Sequence, residues 1–277
     1  MLPRYCGRLF EKGDCIMKKF LTLLLALAMT LSLAACGSDS TEETEGTDGT
    51  EAETVDYTAM SDDELKAAIT TVSEGTLTVA TSPDFAPYEF YAIGEDGQAT
   101  LAGFEMSLAQ YIADYLGLEL EVVPMDFDGT LMELQNKSVD LGMAGYSPKP
   151  ERENIMDFSD IFYTGGQSFV TTQDKADLFA SLEDTNKAEY SIGAQTGSIQ
   201  VDLAQTNSPD AELIQLPKVT DVITDLLAGN LDGAYIETVV AETYAKNYPE
   251  LNVLLDVPYE QEGSVVGVSK GNAALLE

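Results

Sequence analysis

From Gly75 onward the chain runs twice through the same order of strand-like and helix-like segments, and few folds accommodate that. Residues 77–80 form a short β run, followed by the loop 81–87. Residues 104–116 place Leu108, Ile112 and Leu116 on one helical face, with Gly117 as the stop. A strand at 120–124, a helix at 129–136 and a strand at 139–144 complete a β-α-β-α-β order, which predicts a parallel sheet. The second pass has strands at 191–194, 212–216 and 233–236, with helices at 197–204 and 220–227. The first of these helices opens on Thr196-Gly197-Ser198. Two such halves predict an α/β protein of two lobes, each a parallel-rich sheet flanked by helices. Residues 75–165 with 265–277 make the first lobe, and 166–264 the second. The joining segments 164–172 and 257–268 are extended and contain glycine, as two hinge strands would. Ligands in such sheets bind beyond the carboxyl ends of the strands, so the expected site is the cleft between lobes.

The N-terminus carries a different signal. Met17-Lys18-Lys19 supplies a basic start and residues 20–33 an apolar run, the pattern of a signal peptide and too short for a comfortable membrane span. The run ends in Leu33-Ala34-Ala35-Cys36-Gly37-Ser38, which resembles the lipobox of bacterial lipoproteins. That resemblance implies cleavage before Cys36, lipidation of its sulfur and a membrane anchor. The competing reading is a plain secretory signal. Met17 is a better start than Met1, so residues 1–16 are expected to be an upstream mis-assigned start. Residues 37–74 are expected to be a tether and a short helix. The stretch 38–56 holds eight acids and no base, a composition that cannot bury enough surface to fold. A helix is expected at 61–72 with Ser61 as its N-cap.

Charge removes several functions. The chain has 14 basic and 48 acidic residues, and beyond Cys36 the balance is 9 against 46. Such a surface repels nucleic acid, and the absence of histidine removes the usual metal ligand and general base. No cofactor or metal is expected. Apart from Cys36 the mature chain has no cysteine, so it must be stable without disulfides. Arg152 is the one arginine after the signal segment.

Three motifs carry a resemblance: residues 78–90 (Thr-Val-Ala-Thr-Ser-Pro-Asp-Phe-Ala-Pro-Tyr-Glu-Phe), Gly103-Phe104-Glu105 before a helix, and residues 144–152 followed by Asp157-Phe158-Ser159-Asp160. In this order and spacing they resemble the extracellular amino-acid-binding proteins of ABC importers, over residues 77 to about 270. The resemblance implies a two-lobed periplasmic-binding-protein-like fold of type II, acting as a monomer that delivers an amino acid to a membrane permease. It implies that Arg152 grips the ligand carboxylate, assisted by Ser147 and backbone around Gly145. Ser198 and Ile199 would present helix N–H groups to the same anion. Glu237 stands where the family usually has an aspartate for the α-ammonium, and Phe85 and Phe127 match the aromatics that sandwich the ligand.

A forked, permanently charged guanidinium is the side chain best suited to hold a carboxylate in two bonds. The competing reading of Arg152 is a solvated pair with Glu151 or Glu153, which lysine would serve equally well. Glu237 read alone is an exposed acid, and the two phenylalanines lobe core. Three positions depart from the family. Ser82 stands where many relatives have an acid, with Asp84 two residues on. Gln195 occupies a position that often tunes side-chain specificity. Lys149 reads as solvent-facing, although an acidic ligand side chain could use it. The acidic composition favours a polar or cationic ligand side chain. Relatives continue past residues 269–271 with two or more helices, so a shortened first lobe is expected. Two rival functions stay open: a sensor lipoprotein that does not feed a transporter, and a cyclohexadienyl-dehydratase-like enzyme on the same fold.

Overall fold

The computed structural model describes residues 55–260 and 263–277; the signal segment, Cys36 and the tether up to Thr54 lie outside them. Helix α1 (Asp62–Ala68) opens with a capping box in which Glu64 accepts from the backbone N–H and hydroxyl of Ser61. It ends well short of the expected residue 72. Thr70, Thr71 and Val72 are β-branched, and the Val72 N–H is taken by Asp140 at 2.8 Å.

The first pass gives β1 (Thr76–Thr81), β2 (Asp84–Phe85), β3 (Glu89–Ile93), β4 (Ala99–Ala102), α2 (Phe104–Leu116), β5 (Glu119–Pro124), α3 (Phe127–Asn136), β6 (Leu141–Tyr146) and β7 (Met156–Phe158). The second gives β8 (Gln167–Thr172), β9 (Ser191–Gln195), α4 (Ile199–Asn207), β10 (Glu212–Leu216), α5 (Val219–Ala228), β11 (Gly233–Glu237), α6 (Thr238–Asn247) and β12 (Leu251–Val257). The chain then returns with β13 (Val265–Ser269) and α7 (Ala273–Leu276). Two five-stranded sheets result, ordered β5-β1-β6-β13-β7 and β10-β9-β11-β8-β12. This is the two-lobed α/β fold expected of the sequence.

The parallel strands are those of the repeated order: β5, β1 and β6 in one sheet, β10, β9 and β11 in the other. Both sheets are nevertheless mixed. The antiparallel members β13 and β8 come from the stretches read as hinge strands, so most of 164–172 and the end of 257–268 lie inside a sheet. Phe162 donates to the Ser264 carbonyl at 3.0 Å and Ser264 to the Tyr163 carbonyl at 2.6 Å, which binds the two crossing segments to each other.

Each sheet is covered on both faces. In the first lobe Leu77, Val79, Ala109 and Leu141 pack on one side, and Ala80, Phe127, Leu134 and Tyr146 on the other. In the second, Val222, Ile223, Leu226 and Leu231 form one core, and Phe169, Phe179, Ile192 and Tyr235 the other. Phe85 and Tyr88 of the first lobe join the Val222 core, so the lobes are closed on each other along the loop after β1. Gly103, the α2 N-cap, has φ 126°, and a Cβ there would sit 2.1 Å from the Tyr88 carbonyl oxygen. The Gly-Phe-Glu motif thus fixes the helix start against that loop.

Candidate functional site

A cavity opens between the lobes where the carboxyl ends of β6, β9 and β11 converge. Of the residues expected to contact ligand, Arg152, Ser147, Gly145, Glu237, Phe85, Phe127, Gln195, Ser198 and Ile199 all line it. They come from separate elements of both sheets, so only the closed fold brings them together.

Arg152 is 5 % exposed, in the short 3-10 turn after β6. One guanidinium nitrogen donates to the Ser147 carbonyl at 3.1 Å and the other to the Gly197 carbonyl, on the opposite lobe, at 3.0 Å. Its face lies 5.5 Å from the Phe127 ring centre and 5.8 Å from that of Tyr146. Burial pulls its pKa below the ordinary value, with weak opposition from Tyr146, Asp202 and Glu151. Among the described residues the ion pairs are Lys149–Asp202, Lys175–Asp232, Lys218–Asp126 and Lys270–Asp157, none involving Arg152. The solvated pair with Glu151 or Glu153 is therefore not what is seen. A buried cation held only by carbonyls is costly, and an anion entering the cavity would offset that cost.

Glu237 ends β11 and is 7 % exposed. One oxygen accepts from the Val240 N–H at 2.8 Å, capping α6, and the other from the Tyr88 hydroxyl at 3.3 Å. Desolvation pushes its pKa up to about 7, against the lowering effect of those bonds. A Cβ on Gly165 would stand 2.5 Å from Glu237 Oε1, so glycine there leaves the carboxylate its room. An incoming ammonium would supply the charge partner that Glu237 lacks among the described residues. The exposed-acid reading does not fit this placement.

The remaining positions shape the walls. Ser198 is the N-cap residue of α4, but its hydroxyl donates to the Gln195 carbonyl at 2.7 Å and makes no cap bond to the helix, whose first turn begins at the cavity wall. Gly145 has φ 62°, and a Cβ there would meet the Phe85 ring at 2.6 Å. Its N–H is already committed to Glu105, at 3.1 and 3.2 Å to the two oxygens.

Two expected contacts stand elsewhere. Ser82 and Asp84 line a separate depression with Asp126 and Lys218, and Ser82 donates to Asp84 at 3.0 Å. Lys149, read as solvent-facing, is instead ion-paired with Asp202 of α4 across the cleft. Sequence reading did not single out Gln167, Gln200, Gly165, Tyr259 or Ser264, which also line the cavity. Gln200 donates to Gln167 at 2.7 Å and both are buried. No local pattern distinguishes such glutamines from surface ones; only the sheet topology places them. Among the described lining residues the charged side chains are Arg152 and Glu237.

The sequence profile of the bacterial extracellular solute-binding proteins, family 3, matches residues 77–277. The chain belongs to that family. It is 31 % identical over 258 residues to the arginine-binding extracellular protein ArtP of Bacillus subtilis, covering 92 % of this chain and 87 % of ArtP. The structure of AbpA, an amino acid ABC transporter substrate-binding protein of Streptococcus pneumoniae bound to L-arginine, superposes with a TM-score of 0.69. That match has 32 % identity and covers 77 % of this chain and 88 % of AbpA. Cyclohexadienyl dehydratase of Pseudomonas aeruginosa is more distant, at 26 % over 180 residues, 65 % of this chain and 66 % of the enzyme. Family membership places the chain outside the cytoplasm as a solute-binding protein.

Proposed function

We propose that this chain is the substrate-binding component of an amino-acid ABC importer, closing its two lobes over an amino acid with a polar or cationic side chain. The observation that carries the reading is Arg152, a buried guanidinium without an anionic partner among the described residues, in one cavity with the carboxylate of Glu237. A free amino acid supplies both missing partners: its carboxylate for Arg152 and its ammonium for Glu237. Phe85 and Phe127 then flank the aliphatic portion, and the amides of Gln167, Gln195 and Gln200 offer neutral donors and acceptors to a polar side chain. L-arginine is the first candidate, because ArtP and AbpA are described by it and because two phenylalanine faces suit a guanidinium. Cys36 would anchor the protein through a lipid, with the acidic segment after it as tether.

Calorimetric titration with the twenty amino acids tests the proposal. At least one, with L-arginine foremost, should bind with a stoichiometry near one, and Arg152→Ala should abolish the signal. Failure of all twenty would sink the reading. Glu237, with its pKa near neutrality, could also serve as a general acid, which adds to the distant dehydratase likeness in favour of that alternative. Formation of a dehydrated product from a cyclohexadienyl acid would favour that alternative.

A further inference from the structure

Two glutamates behind the cleft wall are left unexplained by ligand binding. Glu89 of β3 and Glu105 of α2 are both 0 % exposed. Neither takes part in an ion pair among the described residues. Glu105 has a clear task, accepting the N–H of Gly145 with both oxygens. Glu89 has none by ordinary counting, since among the described residues nothing donates a hydrogen bond to its buried oxygens. After desolvation, the charge of Glu105 is the strongest influence on its carboxyl.

Two adjoining carboxylates cannot both stay charged in a dry interior. A single proton between them removes the conflict, because a protonated Glu89 donates to the Glu105 carboxylate. Of the groups facing the pair, the Gly145 N–H favours the ionised form of Glu105. Asp84 from β2 adds negative charge beside Glu89, and the phenol of Tyr146 from β6 lies within electrostatic range of both acids. Desolvation is the leading cause in each case, raising Glu89 well above the usual carboxyl range and Glu105 to about 7.

We infer that Glu105, sharing a proton with Glu89, is a positioning residue that holds Gly145 in its left-handed turn and so sets the wall carrying Phe85, Ser147 and Arg152. Gly145 has φ 62° and is close-packed on the Phe85 ring. It is also two residues before Ser147, whose carbonyl accepts from Arg152. A shift of its N–H therefore moves an aromatic face and the guanidinium's anchor together. The inference rests on the amino-acid-binding reading for its effect on affinity, but not for the bond itself.

The test has two arms. In ligand-free protein, the ¹⁵N-resolved amide resonance of Gly145 is followed from pH 5 to 9. It should titrate with the Glu105 carboxyl in the wild type and lose that titration in Glu105→Gln, whose amide oxygen still accepts. In the second arm, L-arginine affinity is measured for the same proteins. Glu105→Gln and Glu89→Gln each keep one hydrogen between the side chains and should stay within about 3-fold of wild type, whereas Glu105→Leu should weaken binding by roughly 10-fold or more. A Gly145 resonance that ignores pH, or that titrates identically in Glu105→Gln, overturns the inference, as does wild-type affinity in Glu105→Leu. If Glu105→Leu does not fold, the resonance of Glu105→Gln decides alone. If no amino acid binds, the functional reading falls while the first arm still reports on the bond.

Discussion

Asp84 of the first lobe caps a helix of the second: its Oδ2 accepts the backbone N–H of Val219, the first residue of α5, at 2.5 Å. The helix's own N-cap residue, Lys218, supplies no side-chain bond, so the cap comes from across the cleft. The Asp84 carbonyl also accepts from the Tyr244 hydroxyl of α6 at 2.8 Å. These bonds join the lobes at a point outside the cavity, and they form only when the lobes are closed. They therefore stabilise closure whether or not a ligand is present.

Asp84→Ala should weaken amino-acid binding by about 10-fold, the equivalent of one cap and its charge, without touching a cavity-lining residue. Because closure becomes less favourable, the unliganded protein should show a larger radius of gyration by small-angle scattering. An unchanged affinity together with an unchanged radius would refute the latch.

Arg152→Lys keeps the charge but loses the fork that spans Ser147 and Gly197. Affinity should drop by about 30-fold, mostly through faster release, while thermal stability changes little. Stopped-flow kinetics separates the two rates. Equal binding by the lysine variant would mean that the ligand carboxylate is held elsewhere.

Binding should weaken as pH falls. Glu237 has a pKa near 7 in the unliganded fold, and only its ionised form pairs with an ammonium. Below about 7 the ligand must expel a proton, so affinity falls by up to one decade per pH unit, and above it the profile is flat. Glu237→Gln should bind weakly with that slope removed. The same shift has a stability consequence of opposite sense. With its folded pKa raised above the ordinary glutamate value of 4.5, Glu237 favours the unliganded fold increasingly as pH drops from about 7 to 4.5. The melting-temperature difference between wild type and Glu237→Gln, followed against pH without ligand, checks the sign.

Asp140 is 1 % exposed and ties the chain before β1 to the sheet. It accepts from the Val72 N–H at 2.8 Å, the Thr78 N–H at 2.8 Å and the Thr78 hydroxyl at 2.6 Å. Asp140→Ala leaves three donors unpaired and should cost about 3 kcal/mol in urea unfolding, with little change in affinity for any variant that still folds.

Helix α2 was legible to the residue, because an apolar stripe and a terminal glycine mark both its face and its end. The central strands β1, β9 and β11 were legible because they are short apolar runs between turn residues. Helix α6 was not, since its sequence mixes threonine, valine and charged residues, and its start is fixed by Glu237 acting as cap. The β3–β4 hairpin escaped for a related reason: its strands are half exposed and carry little periodicity. At the cleft, Arg152 stood out by its rarity. Ser82 and Asp84 could not be separated from true cavity residues, since only tertiary closure decides which side of the loop faces which lobe. Glu89 and Glu105 lay in plain view inside recognised motifs, but a buried acid pair has no sequence signature beyond two glutamates.

Strand β13, the last in chain order among the described residues, lies between β6 and β7 in the first sheet, with partners about 120 residues earlier in the chain. β7 has no other neighbour in that sheet. The first lobe therefore cannot finish folding until the stretch beyond the second lobe is available to it, whereas the second lobe is continuous and can fold on its own schedule. An unfinished edge on β6 has to wait for its cover until β13 arrives. That waiting period, rather than the finished protein, is where this chain is most exposed to aggregation and most in need of a chaperone.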